Sequence, residues 1–359
     1  MTMRQRRDAG EIGLDRIRGF HGGYWRYDFT DFHYLYNHYF PREKLYTLLK
    51  NELPLLMDNY PSTQRVIAGL LARWKNTPGF TEQNLIVANG SSELIRIMGS
   101  MIGKITVPIP TFNEYVELPK EKVNTFLLPE EDGFALPVAE LLESIKNSRS
   151  DFAVICNPNN PVGDLVSRDD IELLLQSGVK LIVDEAFIDW SGAEHSCEDL
   201  VGLYDNLIII KSLNKVAGTA GLRLGYMLTT NEEIRERVKK SLPIWNINSL
   251  CERFIELFPD FYDDFLDSLH RGKEDRRHLE EGLRDIPWLE PFPSWANFVF
   301  CKTGISAAGI GRCLFDNHKI LIRDSLNQAQ LRSDRYIRIG VRPRKDTDRL
   351  IAALREMPL

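Results

Sequence analysis

Five short apolar runs, separated by stretches with helical periodicity, constrain the fold of this chain more than any other feature. The runs occupy residues 85–88, 105–107, 152–156, 181–183 and 207–210. Continuous apolar runs of this length are typical of strands that are covered on both faces. The helical patterns between them lie at residues 92–100, 137–144 and 168–176. This alternation predicts right-handed crossovers and an α/β fold with a largely parallel sheet.

The pattern changes after residue 227. Long amphipathic stretches come first, followed by two strand-like runs and a final helical pattern, at residues 231–241, 249–257, 261–284, 297–301, 336–341 and 345–356. These elements predict a second, smaller α+β unit. We expect an N-terminal arm that contributes to the small domain at 1–45, a large domain at 46–245 and a small C-terminal domain at 246–359.

Charge and composition exclude several classes of function. The chain has 359 residues, with 45 Lys and Arg against 51 Asp and Glu, which gives a net charge of −6. This balance gives no general attraction to nucleic acid or to an anionic membrane. No long apolar run predicts a membrane span, and the 5 cysteines form no C-x-x-C pair. We therefore expect a cytoplasmic protein with reduced thiols. The 7 histidines form no H-E-x-x-H pattern, so no metal site is predicted.

Polar residues follow four of the predicted strands, where an open α/β sheet binds its ligands. Gly90, Ser91 and Ser92 lie between a strand and a helix, so they form either a phosphate site or an ordinary helix cap. Asp184 ends a buried strand and needs a cationic partner: a pyridine nitrogen, an arginine or a helix N-terminus. Lys215 is either a Schiff-base lysine or a solvated loop residue.

Four motifs, in this order and at this spacing, resemble the class I/II aminotransferase family of fold-type-I pyridoxal-phosphate enzymes. The motifs are Asn160-Pro161-Val162-Gly163, Asp184-Glu185-Ala186-Phe187, Ser212-Leu213-Asn214-Lys215 and Gly221-Leu222-Arg223-Leu224-Gly225-Tyr226. Within the family, the chain is most similar to the branch of histidinol-phosphate aminotransferase and threonine-phosphate decarboxylase. The resemblance implies a three-layer α/β/α large domain with a mainly parallel sheet, a small α+β domain, and pyridoxal 5'-phosphate as cofactor.

The resemblance also implies a role for each matching residue. Lys215 would form the Schiff base with the cofactor and move protons at the substrate α-carbon, and Asp184 would pair with the pyridinium nitrogen. Asn160 would hydrogen-bond the phenolic oxygen of the cofactor, and Phe112 would stack on its ring. The residues that would cradle the phosphate are Gly90, Ser91, Ser92, Ser212 and Arg223.

Two further residues resemble positions that act on the substrate or across subunits. Arg338 resembles the arginine that grips the substrate carboxylate. Tyr60 resembles the tyrosine that reaches the cofactor phosphate of a neighbouring subunit, so a homodimer is implied. The chain departs from the family pattern at Val162, where Thr is common, and at Phe187, where many members have a Tyr that bonds the phenolic oxygen.

The reaction depends on the substrate pose, which the sequence does not fix. Local features resembling threonine-phosphate decarboxylase favour α-decarboxylation of a phosphothreonine- or phosphoserine-type substrate to an aminoalkyl phosphate. The alternative is a transaminase of the histidinol-phosphate type that uses a 2-oxo acid such as 2-oxoglutarate. A third possibility, a non-catalytic binding module, would be expected to lack one of Lys215, Asp184, Asn160 and Arg223, and all four are present.

Three residues are candidates for contacts to a substrate phosphate or phosphonate. His21 and Gly22 offer an imidazole and bare backbone, and Arg323 offers a guanidinium. His21 could equally be a surface or core histidine, and Arg323 could form a surface ion pair. The aromatic segment 24–36 either lines a substrate entrance or packs on the dimer partner.

Overall fold

The computed structural model describes residues 7–8, 12–20, 22–324, 331 and 333–357 and divides into two compact units. The larger unit is Tyr36–Arg271, and the smaller unit combines the described residues within Met1–Leu35 and Gly272–Leu359. The bounds from the sequence, at 45/46 and 245/246, remain a prediction about domains. The contacts instead assign residues 246–271 to the larger unit, because the helix Ser249–Leu257 packs on Glu43–Asp58 and Gln64–Ala72.

The larger unit is built on a seven-stranded sheet. In spatial order its strands are Leu85–Ala88, Gly225–Leu228, Leu207–Ser212, Lys180–Asp184, Phe152–Cys156, Ile105–Ile109 and Val123–Leu127. Gly225–Leu228 is antiparallel to both neighbours, and the other pairings in this sheet are parallel. The predicted α/β fold with a mainly parallel sheet is confirmed, and all five apolar runs are strands.

Helices flank this sheet where the periodicity predicts them. Ser167 caps Arg168–Gln176 by accepting from the Asp170 N–H, and Asn231 caps Glu232–Ser241 by accepting from Ile234. The other α-helices of the unit are Glu43–Asp58, Gln64–Ala72, Ser91–Met101, Asn113–Val116, Val138–Ser148, Leu213–Val216 and Ser249–Leu257, and Tyr262–Arg284 begins here and ends in the smaller unit. Short 3₁₀ helices occupy Lys120–Lys122, Ile188–Trp190, Ala193–His195, Glu198–Gly202, Ala220–Leu222 and Phe258–Phe261.

The smaller unit has a four-stranded antiparallel sheet in the order Leu289–Pro291, Phe298–Thr303, Tyr336–Gly340 and Arg323–Asp324. Two short parallel pairings join Thr30–Asp31 to Ile320–Leu321 and Arg7–Asp8 to Tyr27–Asp28. Its helices are Leu14–Arg18, Ala307–His318 and Arg344–Arg355, with a 3₁₀ turn at Tyr24–Arg26. The predicted α+β character of this unit is therefore present.

Each unit has its own hydrophobic core. In the larger unit, strand residues such as Ile182, Ile208 and Ile210 are fully buried beneath the flanking helices. In the smaller unit, Val299 and Ile339 pack with Phe32 from the N-terminal segment. Within the described part of the chain, no helix is both long and apolar enough to cross a membrane.

Candidate active site

Asp184 ends the central strand Lys180–Asp184, and its carboxylate is buried. Tyr115 Oη donates a hydrogen bond of 2.8 Å to Oδ2, and the Ala186 N–H donates one of 3.0 Å to Oδ1. Burial raises the pKa of Asp184, and Lys215 opposes this rise more than either hydrogen bond does. The site therefore holds an acid that a positively charged ligand atom would stabilise in its ionised form.

Lys215 lies in the short helix Leu213–Val216, which follows the neighbouring strand Leu207–Ser212. Its Nζ is 4.3 Å from the centre of the Phe187 ring and 5.5 Å from that of Phe112. Its main-chain carbonyl accepts a hydrogen bond of 2.8 Å from the Asn37 N–H. The amine thus lies close to two aromatic rings, in surroundings suited to a reactive lysine.

Three separate segments meet at the N-terminus of the helix Ser91–Met101. Gly90 has φ +81°, and a Cβ at this position would lie 2.7 Å from Arg223 Nη2 and 3.3 Å from Asn214 Nδ2. The Arg223 guanidinium therefore packs directly on the glycine backbone, and its Nη2 donates to Ser92 Oγ at 3.3 Å. A helix N-terminus, hydroxyls and a guanidinium in one place form an anion site of the kind that binds phosphate.

Ser212 joins this cluster through the sheet. It pairs with Gly225 on the antiparallel neighbour strand, and a Cβ on Gly225 would lie 2.8 Å from Ser91 N. Only a glycine at 225 allows the strand to pack this closely against the start of the helix. The structure therefore brings the predicted residues Gly90, Ser91, Ser92, Ser212 and Arg223 together.

These residues fit pyridoxal phosphate. The helix N-terminus and Arg223 suit its phosphate, the buried Asp184 suits its pyridinium nitrogen, and Lys215 offers an amine close to two aromatic rings. When bound, this cofactor supplies an electron sink for breaking a bond at the α-carbon of an amino acid. Within the described residues, no three His, Cys, Asp or Glu side chains form a group that could hold a metal ion.

Other predicted site residues are not in this cluster or are not tested by its geometry. Asn160 is buried. Tyr60 is 78% exposed and stacks on Trp245 with ring centres 4.3 Å apart. Gly22 has φ +142° with open space where a Cβ would be, and His21 lies outside the described residues.

Arg323 and Arg338 form a separate cluster in the smaller unit, where they are directly paired across two antiparallel strands. Arg338 is buried, and its Nη2 donates to the His33 carbonyl at 2.8 Å. Arg323 Nη1 lies 3.1 Å from His33 Nε2. Burial and the neighbouring Arg323 hold the pKa of Arg338 well below its ordinary value. Like charges directly opposite each other in a sheet are unfavourable, so this pair is suited to binding anions.

Sequence reasoning did not assign Tyr115, Asn214 or His33. Tyr115 follows Phe112 by three residues, the spacing that places both on one face of a helical turn, and this signal was available. Asn214 lies inside the lysine motif, and its Oδ1 accepts the Leu224 N–H at 2.5 Å. His33 lies within the aromatic segment, and no local signal distinguishes it from its neighbours.

The family profile of "Aminotransferase class I and II" matches residues 57–354. The chain is 34% identical to CMP-5'-(3-aminopropyl)phosphonate synthase of Streptomyces rubellomurinus over 95% of its own length and 55% of that protein. It is 29% identical to L-serine phosphate decarboxylase Cj1436c of Campylobacter jejuni, over 84% of this chain and 80% of that one. The solved structure of a decarboxylase from Sulfurospirillum multivorans is similar, with TM-score 0.84, 27% identity, and coverage of 98% and 93%.

The chain therefore spans about half the length of the Streptomyces relative.

Proposed function

Because the chain belongs to the class I and II aminotransferase family, whose enzymes use pyridoxal 5'-phosphate, we propose that it removes the α-carboxyl group of a small amino acid bearing a phosphate or phosphonate. The product is the corresponding aminoalkyl phosphate or phosphonate. Phosphoserine and phosphothreonine are the substrates we propose to test first.

The observation that carries this proposal is the cross-strand pair of Arg323 and Arg338. Two guanidiniums side by side suit a ligand with two anionic groups, and a phosphorylated amino acid has a carboxylate and a phosphate. We assign Arg338 to the carboxylate and Arg323 to the phosphorus group.

The names of two relatives support decarboxylation. One relative is an L-serine phosphate decarboxylase. The compound in the name of the Streptomyces relative carries an amine and a phosphonate but no carboxylate, as expected of a decarboxylation product. Loss of carbon dioxide leaves a pair of electrons at the α-carbon, and a proton must take its place. We assign delivery of this proton to the Lys215 amine.

The test measures carbon dioxide release from phosphoserine and phosphothreonine by the protein loaded with pyridoxal phosphate. Release without any 2-oxo acid is the expected result, and the variant Lys215→Ala should abolish it. A reaction that requires 2-oxoglutarate and releases no carbon dioxide would instead establish the transaminase of the histidinol-phosphate type. The substrate panel should also include an α-amino acid whose side-chain phosphonate is esterified with cytidylate, because loss of its carboxyl group would give an ester of the kind in the Streptomyces relative's name.

We also propose that the enzyme is a homodimer in which Tyr60 reaches the cofactor phosphate of the partner. Tyr60 is exposed, as are the large apolar side chains of Leu55, Met57 and Ile244. Mixed dimers of Lys215→Ala and Tyr60→Ala would contain one intact site out of two. Mixing the two inactive variants should then restore up to about a quarter of the activity. Two variants that stay inactive on mixing, with a monomeric mass in solution, would contradict this assignment.

A further inference from the structure

His33 contacts both Arg323 and Arg338, through different atoms. Its main-chain carbonyl accepts from Arg338 Nη2 at 2.8 Å, and its imidazole Nε2 lies 3.1 Å from Arg323 Nη1. Its main-chain N–H donates to Asp31 Oδ1 at 2.8 Å. One residue thus anchors two guanidiniums and is itself anchored by a carboxylate.

The imidazole must accept the hydrogen bond from Arg323, because a guanidinium only donates. This requires a neutral ring with its proton on Nδ1. Desolvation, followed by the charges of Arg323, Arg338 and Arg18, lowers the pKa of His33 to about 2, while a bond with the Ile322 backbone opposes this shift. The Tyr24 and Tyr34 rings pack edge-on against the imidazole at 6.1 and 5.2 Å. The ring is therefore neutral at ordinary pH.

The main chain that precedes His33 is held between the strand that carries Arg338 and the short strand Ile320–Leu321, which lies just before Arg323. Phe32 N donates to the Leu321 carbonyl at 2.8 Å, and the Phe32 carbonyl accepts from Gly340 N at 2.8 Å. A Cβ at Gly340 would lie 3.0 Å from the Phe32 carbonyl oxygen, so little space separates the backbones. The backbone that carries the imidazole is therefore held in place, so the ring can position Arg323.

We propose that His33 is a specificity-determining positioning residue, which sets the distance between the Arg323 and Arg338 guanidiniums and thereby selects substrates by the spacing between carboxylate and phosphorus group. This inference rests on the proposed function for the identity of the two anionic groups. It assigns to His33 no contact with the reacting atoms.

The test compares His33→Phe, which keeps a ring but removes the acceptor, with His33→Gln, whose side-chain oxygen can occupy the position of Nε2. The main-chain bond to Arg338 survives in both variants. His33→Phe should raise KM for the phosphorylated substrate by roughly 10- to 100-fold with kcat changed little, as expected for one lost bond to a charged group. His33→Phe should also reduce the ratio of the kcat/KM values for phosphoserine and for its homologue with one more methylene. His33→Gln should restore both properties.

His278→Phe is the matched control, because His278 Nε2 pairs with Asp348 at 2.5 Å on the surface of the same unit. If His33→Phe behaves like this control, the inference is wrong. If His33→Phe fails to fold, His33→Asn replaces it, since its shorter amide does not reach the position of Nε2. An inflection in the pH profile of KM near 6.5 that His33→Gln removes would show a charged imidazole and would also overturn the inference.

A second measurement separates this inference from the proposed function. Inorganic phosphate should raise the Tm of the cofactor-loaded wild type and of His33→Gln, and should raise that of His33→Phe much less. Loading the cofactor first occupies the phosphate cradle at Arg223. If this pattern holds but no phosphorylated amino acid is turned over, the proposed reaction is wrong, whereas the positioning of Arg323 by His33 for anion binding stands. Equal phosphate shifts in all three proteins would contradict that role.

Discussion

The pKa values of two buried cations in this molecule are shifted in opposite directions, although burial lowers both. Lys211, in the larger unit, has its Nζ 3.2 Å from Asp189, 3.7 Å from Glu198 and 3.9 Å from Glu185, and these carboxylates raise its pKa despite complete burial. Arg338, in the smaller unit, faces Arg323, and its pKa is lowered well below the ordinary value.

The difference separates a cluster that supports the fold from one that binds a ligand. Around Lys211 the chain supplies the counterions, and Lys75 adds a second cation 2.5 Å from Glu198 Oε2. Around Arg338, Asp31 opposes the fall in the pKa of Arg338 but also accepts from the N–H groups of residues 33 and 34, and Asp324 favours charged Arg323 but also pairs with Arg18. Burying positive charges so close together is unfavourable unless an anion joins them. A bound anion would therefore stabilise the arginine cluster most. The lysine cluster is instead stabilised by carboxylates that the folded chain itself supplies.

The largest expected effect on stability comes from Lys211→Met. This variant leaves the buried Glu185 and Glu198 and the partly buried Asp189 near one another without their central cation, so the free energy of unfolding should fall by about 3–5 kcal/mol. Urea denaturation measures this change. Lys180→Met removes a partly exposed lysine from a strand of the same sheet and should change stability by less than about 1 kcal/mol. Equal effects would refute the structural role of Lys211.

The two glutamates beside Lys211 should give opposite pH dependences. Burial raises the pKa of Glu185 to about 7, so its contribution to stability is present at low pH and is lost as pH rises through 7. Lys211 and Lys75 lower the pKa of Glu198 to about 2, despite burial, so its contribution is present above its ordinary pKa and is lost as pH falls through 2.

Unfolding experiments on Glu185→Gln and Glu198→Gln check these signs. From about pH 5 to 8, wild type should lose on the order of 1–3 kcal/mol relative to Glu185→Gln. From about pH 3 to 5, wild type should instead gain stability relative to Glu198→Gln. Two curves with the same slope would contradict the assignment of a neutral and an ionised glutamate within one cluster.

A smaller effect is expected from Tyr115→Phe in the cofactor cluster. The variant removes the 2.8 Å hydrogen bond to Asp184, so the free energy of unfolding should fall by about 1–2 kcal/mol. The matched variant Tyr204→Phe loses a bond of 3.1 Å to the partly exposed Glu172 and should cost less than about 0.5 kcal/mol. A loss no larger than that of Tyr204→Phe would show that the buried hydroxyl does not stabilise Asp184.

The smallest change in stability is expected from Arg323→Met. Removing one of two like charges relieves repulsion, which offsets the lost bond to His33, so the free energy of unfolding should stay within about 1 kcal/mol or rise. Thermal and urea denaturation without phosphate measure this quantity. A loss comparable to that of Lys211→Met would mean that the arginine pair supports the fold after all.

The sequence predicted the central strands well because they are buried on both faces and therefore read as unbroken apolar runs. It did not predict Val123–Leu127, an edge strand whose exposed and partly buried residues alternate and include Asn and Thr. It also did not predict Gly225–Leu228, which is four residues long and begins with glycine. These two strands lack the continuous apolar run on which the prediction depended, whereas the other edge strand, Leu85–Ala88, is fully buried, has such a run and was predicted.

The candidate site divides in the same way. Gly90, Asp184 and Lys215 lie at the end of a strand or within three residues after it, so local order along the chain was sufficient to single them out. The pairing of Arg323 with Arg338 depends on strand register, and the contact of His33 with Arg323 joins residues 290 positions apart. Local sequence predicts neither the arginine pair nor the contact with His33, because both form only when distant segments of the chain come together.

The parallel pairing of Thr30–Asp31 with Ile320–Leu321 also orders events during folding. The ribosome synthesises every residue of Tyr36–Arg271 before the C-terminal strands, so the larger unit can begin to fold first. The pairing of Thr30–Asp31 with Ile320–Leu321 closes a long loop, which is entropically costly and slow. Thr30–Asp31 cannot form this pairing until Ile320–Leu321 has been synthesised. The arginine cluster is therefore assembled last, and a chain interrupted late in synthesis lacks this part of the molecule.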